Sequence, residues 1–110
     1  MSRHDEERLH DILDAIRAIR KHLERGDLSD GLIYDAVRMR LVEIGEAVKD
    51  IDTTTLANES QIPWQSIVGM RDRLTHHYFD TSLAIIQTTV QDEVPMLEAA
   101  VRRLIETEQD

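Results

Sequence analysis

Apolar residues recur at intervals of three and four in four separate stretches of the chain, which is the signature of helices with one buried stripe. In "HDEERLHDILDAIRAIRKHLERG" the stripe is Leu9, Ile12, Leu13, Ile16, Ile19 and Leu23, and Gly26 ends it. Acidic residues near its start and basic ones near its end suit the helix dipole and need no functional explanation. A second stripe, Ile33, Val37, Leu41, Ile44, Val48 and Ile51, follows a cap at Ser29 or Asp30 and packs on the first. Gly45 sits inside it. A glycine there costs about 1 kcal/mol relative to alanine, so it marks either a close helix approach or a tolerated substitution.

The Thr-, Asn- and Ser-rich stretch from Asp52 to Pro63 breaks the pattern and reads as the longest connection, with room for a short helical turn. Pro63 suits the first position of a third helix carrying Trp64, Ile67, Val68 and Leu74. A fourth, capped by Asp80 or Thr81, carries Leu83, Ile86, Val90, Val94, Leu97, Val101 and Leu104. Pro95 removes an amide donor and clashes with the carbonyl four residues back, so this last helix is expected to be kinked or divided around Gln91 to Pro95. The fold class is all-α: an antiparallel four-helix bundle with a kinked or divided C-terminal helix.

Composition narrows the function classes. With 110 residues, one helical domain spanning 1–110 is expected. The absence of cysteine removes disulfides, thiolate metal sites and a cysteine nucleophile. No apolar run approaches the ~20 residues of a membrane span and the N-terminus lacks a signal-peptide core, so a soluble, cytoplasmic protein without membrane partners is expected. A net charge of −9 argues against a protein that coats nucleic acid, because such binding neutralises many phosphates with Lys and Arg. A small local cationic site remains compatible with it.

The candidate chemistry gathers in "GMRDRLTHHYFD", residues 69–80. On a helix, Trp64, Arg71 and Tyr78 share a face, which puts Arg71 in or beside an apolar stripe. An arginine there needs a carboxylate, a subunit boundary or a ligand; Asp72 or an acid on the second helix would serve. His76 lies about 140° around the helix from Arg71, so the two are not strict neighbours unless the helix end turns. The adjacent His76 and His77 do not match the one-face spacing of helical metal ligands, and no metal or cofactor is expected. Generic physics alone leaves a structural arginine and a capping or surface histidine as the simpler reading.

Arg71, four residues, His76, one residue and Tyr78 form R-x4-H-x-Y, and the chain thereby resembles the HepT-like ribonuclease toxins of the HEPN superfamily. "RLVEIGEAVKDI", "IPWQSIVGMRDRLTHHYFD" and "DEVPMLEAAVRRLI" resemble that family's segments in order. Many members have Asn after the motif arginine, where this chain has Asp72. The resemblance implies a metal-independent endoribonuclease toxin of a type II toxin-antitoxin system, acting as a homodimer with a composite phosphate site. On that reading Arg71 and His76 are catalytic, Asp72 and His77 are auxiliary, and RNA is the substrate. It also implies a minimal nucleotidyltransferase antitoxin of the MNT or MntA type that attaches AMP to Tyr78. The alternative is a catalytically inactive HEPN-like module that still pairs with the nucleotidyltransferase.

Overall fold

A computed structural model of the chain describes residues 1–76 and 82–109. The described residues contain helices and connections and no strand. Helix α1 spans Arg3–Arg25, with the Ser2 hydroxyl accepting from the Asp5 N–H at its start and an extended Gly26 at its end. Helix α2 spans Gly31–Lys49 and is capped by Asp30, whose carboxylate accepts from the Leu32 N–H at 2.9 Å. Ser29, the other candidate cap, instead donates its N–H to Asp27 at 2.8 Å and shapes the turn between the helices.

The Asp52–Pro63 connection does hold short helical turns: α3, Thr53–Leu56, runs into a 3₁₀ turn over Ala57–Glu59. These turns are pinned from both sides. The Trp64 indole N–H is shared between the Leu56 and Glu59 carbonyls at 3.0 and 3.1 Å, which satisfies acceptors the short helices leave open. The Asp5 carboxylate reaches over from α1, accepting from the Thr55 hydroxyl at 2.7 Å and the Asp52 N–H at 3.3 Å. Helix α4 spans Trp64–His76. Pro63 stands one position earlier than expected, as the cap whose carbonyl accepts from the Ile67 N–H at 3.1 Å. Its own missing N–H costs nothing there.

The final helical segment is divided where Pro95 requires. Helix α5, Leu83–Thr88, passes into a π-helical stretch over Thr89–Glu93 and then into α6, Val94–Gln109. The Val94 N–H bonds to Thr89, five residues back, and the wider turn accommodates the proline ring. Ser82 caps α5 through the Ile85 N–H at 3.2 Å; Asp80 and Thr81, the caps expected from the pattern, lie outside the described residues.

Contacts fix the helix directions. Asp5 at the start of α1 meets the exit of α2; Gly45 in the second half of α2 meets Ile67 and Arg71 of α4, while Arg38 meets Leu74. Arg20, late in α1, forms a two-pronged ion pair with Glu98, early in α6, at 2.6 and 2.9 Å. Each neighbouring pair therefore runs antiparallel. The stripes meet in one apolar cluster that includes Leu9, Ile12, Ile16, Val37, Ile86 and Val101. Among the described residues no helix is long and apolar enough to cross a membrane.

Candidate functional site

The site begins with Gly45. A Cβ built there would fall 2.2 Å from the Arg71 Cβ and 2.9 Å from its Cγ, so α2 and α4 touch at a distance only glycine permits. Arg71 consequently leaves α4 flat against α2 and turns its guanidinium along the next residue, Glu46. Its Nε donates to a Glu46 carboxylate oxygen, and its Nη2 forms an ion pair with the same oxygen. Its Nη1 donates to Asp72 at 2.7 Å. Of the two carboxylate sources the sequence offered, the fold uses both.

These contacts explain the local electrostatics. The hydrogen bond to Asp72, then that to Glu46, raises the Arg71 pKa above its ordinary value, so its charge is permanent. The Arg71 hydrogen bond holds Asp72 below the usual carboxylate range, with Lys49 and His76 adding to the effect. Asp72 is thus ionised at neutral pH and lies within the field of His76, four residues on. The Arg71 side chain keeps 20% of its surface exposed.

His76 is the last described residue of α4 and is exposed. The helix beneath it is held firmly. Leu74 is fully buried, its carbonyl accepts from Arg38 Nη1 at 3.1 Å, and the Thr75 hydroxyl donates to the Arg71 carbonyl at 2.9 Å. A guanidinium on a late helical carbonyl extends the helix to its end. The regular helix leaves Arg71 and His76 about 140° apart, so the turned end that would have brought them together does not occur within residues 64–76. Asp72 lies between them and bridges the two in charge. His77 and Tyr78 lie outside the described residues.

Two grooves of the described surface border α2. One of about 840 Å³ runs between α1 and α2, lined by Arg8, Asp11, Arg40, Glu43, Glu46 and Asp50. The other, about 290 Å³ and mainly apolar, lies among α2, α4 and α6, over Leu41, Ile44, Ile67, Met70 and Leu97. Neither includes Arg71 or His76. Glu46 belongs to the first groove and also holds Arg71. Sequence reasoning did not single out Glu46 or Arg38; the usable signal was Gly45, because a helix that approaches this closely brings its next polar residue against the same partner.

The profile of the family described as "Ribonuclease HepT-like" matches residues 10–104. The chain belongs to the HepT-like ribonuclease family. The similarity extends to individual proteins. A protein of Thermococcus cleftensis named "Probable ribonuclease HepT" is 29% identical over 108 residues, covering 94% of this chain and 98% of its own. A candidate RNase of Caldanaerobacter subterraneus, TTE0752, is 37% identical over 81 residues, 74% of this chain and 72% of its own. The Methanocaldococcus jannaschii protein MJ1216, also named as a candidate RNase, is 33% identical over 101 residues, 88% of this chain and 84% of its own. No solved structure matches the chain significantly. Both Arg71, which the close helix contact orients, and His76, at the helix end, lie within the matched residues.

Proposed function

We propose that this HepT-like protein is a metal-independent endoribonuclease toxin of a type II toxin-antitoxin system, with Arg71 and His76 as its catalytic residues. The supporting observation is the state of Arg71: oriented by two carboxylates, charged and partly exposed, on a helix that ends in an exposed histidine. In the proposed reaction a base removes the proton of the ribose 2′-hydroxyl, and its oxygen attacks the adjacent phosphorus. The P–O5′ bond breaks and the leaving oxygen takes a proton, giving a 2′,3′-cyclic phosphate and a 5′-hydroxyl end. Arg71 stabilises the extra phosphate charge. His76 acts as acid or base, and Asp72 orients Arg71; His77 is auxiliary.

One chain supplies one motif histidine, and the 140° offset keeps it off the Arg71 axis. A homodimer with the two α4 helices facing each other supplies two histidines and two arginines to a shared cleft, which fits an exposed His76 and a partly exposed Arg71. The test compares RNA cleavage by the wild type, Arg71→Ala and His76→Ala in the presence of a chelator. Losses of at least a hundredfold in both folded variants are expected, whereas equal cleavage by all three overturns the assignment.

The proposed off-switch is AMP attachment by a nucleotidyltransferase antitoxin of the MNT or MntA type. The Tyr78 phenol oxygen attacks the α-phosphorus of ATP, pyrophosphate leaves, and the phenolic proton passes to a base. The added anion, two residues from His76, would occupy the charge field that Arg71 provides. Intact mass after incubation with the antitoxin and ATP is expected to rise by one AMP in the wild type and to stay unchanged in Tyr78→Phe.

A second reading, an inactive module that pairs with the nucleotidyltransferase, draws on the Asp72 ion pair, which partly neutralises the phosphate-binding charge. Absence of cleavage by the wild type together with retained binding of the nucleotidyltransferase would favour it.

A further inference from the structure

We propose that Glu46 is a positioning residue for Arg71, fixing the plane of the guanidinium so that one N–H on each terminal nitrogen is presented as a fork to a phosphodiester. The inference rests on the ribonuclease reading for the identity of its ligand and on geometry for the rest. A guanidinium carries five N–H donors in a rigid plane. Glu46 accepts from Nε and pairs with the charge at Nη2 along one edge, and Asp72 accepts from Nη1. No further hydrogen bond from the terminal nitrogens occurs among the described residues, so N–H groups on Nη1 and Nη2 remain for a ligand. Two parallel donors at that spacing match two oxygens of a phosphate.

Several features make Glu46 the residue that sets this orientation. It sits on α2 and not on the arginine's own helix, so it fixes Arg71 relative to the core, whereas Asp72 moves with α4. The carboxylate follows Gly45 directly, and Gly45 is where α2 and α4 come closest. The Arg71 side chain cannot swing away along α2 without losing both the packing at Gly45 and the Glu46 edge. Glu46 itself is half-exposed, and its loss does not open the core. Without it, the guanidinium is held only by Asp72 through Nη1 and rotates about its long stem, so the fork is no longer set in advance.

Three measurements on the full chain test this. The first is affinity for a fluorescent 2′-O-methyl oligoribonucleotide, which carries the phosphates but cannot be cleaved, for the wild type, Glu46→Gln, Glu46→Ala, Arg71→Ala and Glu46→Ala/Arg71→Ala. The second is the rate of cleavage of an unmodified RNA of the same sequence. The third is the Arg71 Nε–H resonance, assigned by its loss in Arg71→Lys. Glu46→Ala is expected to weaken oligonucleotide binding about tenfold, with Glu46→Gln between it and the wild type because its amide oxygen still accepts. The effect vanishes when Arg71 is already alanine, since a positioning residue acts only through the group it positions. The Nε–H resonance moves and loses protection from exchange in Glu46→Ala.

An equal effect of Glu46→Ala with and without Arg71 overturns the proposal, as does an unchanged Nε–H resonance. A wild type that cleaves no RNA defeats the ribonuclease reading alone, because the resonance still decides whether Glu46 holds Arg71. Unfolding midpoints are recorded for every variant. A loss of binding that follows the midpoint across the set marks a merely structural role and also counts against positioning.

Discussion

At the scale of single residues, the same carboxylate chemistry serves very different ends. Asp5 is 2% exposed and accepts from the Thr55 hydroxyl and the Asp52 N–H, closing the α2–α3 connection onto the start of α1. Asp5→Ala leaves the buried Thr55 hydroxyl without its acceptor, and a loss of roughly 1–3 kcal/mol is expected by urea unfolding. Nothing in the sequence separated Asp5 from Glu6 and Glu7, because all three satisfy the helix dipole and only the fold shows which one points inward. Glu98 supplies a pH-dependent counterpart. Its hydrogen bonds with Arg20, and secondarily Arg102, hold its pKa down to about 2 from an ordinary 4.5. A lowered carboxylate pKa stabilises the fold fully above the unfolded value and loses that contribution as pH falls through the folded one. Glu98→Gln is therefore expected to cost on the order of 1 kcal/mol at pH 7, given the exposed arginines, with the difference from wild type shrinking between about pH 4.5 and 2. A difference that grew on acidification would contradict this.

At the scale of elements, two glycines in helices carry opposite consequences. A methyl at Gly45 meets Arg71 at 2.2 Å and the Ile67 carbonyl at 3.3 Å, whereas one at Gly69 meets nothing within 4 Å. Both substitutions gain helix propensity of about 1 kcal/mol, but only Gly45→Ala forces α4 away from α2, at a cost of roughly 1–3 kcal/mol. Gly45→Ala should lower the unfolding free energy and RNA cleavage together, while Gly69→Ala at a concentration that keeps the chain monomeric should raise the unfolding free energy by roughly 0.5–1 kcal/mol. Denaturant titration of the two variants gives the signs. The periodic stripes made the helices legible, and Pro95 made the division of the last one legible, because both follow from local backbone chemistry. The partner of Gly45 was not legible. A sequence states that something comes close to a helical glycine but not which helix does, and with that missing, Glu46 looked like any other exposed acid.

At the scale of the whole molecule, a chain of net charge −9 has to meet a polyanion. The motif was legible as spacing, but the proposed use of it calls for a second copy, whose geometry no single sequence carries. Proteins that coat nucleic acid release one counterion for each phosphate they neutralise, and for single strands the logarithm of affinity falls with the logarithm of salt at a slope of about −0.7 per contact. Here the proposed site offers the two Arg71 forks of a dimer and a few neighbours such as Arg73, set in an acidic surround. The number of phosphate contacts is accordingly expected to be about two to four, giving a slope between about −1 and −3. Long-range repulsion acts the other way. Added salt screens the acidic surface over a Debye length of about 8 Å at physiological ionic strength, which flattens the slope further at its low-salt end. Titrating the 2′-O-methyl oligoribonucleotide from about 20 to 300 mM salt separates the two effects. A shallow curve that levels off at low salt is expected, and Arg71→Ala should reduce its slope by about 1.4, the share of one fork from each protomer. A slope steeper than about −5 would require a basic surface elsewhere on the protein and would move the proposed RNA contact away from α4.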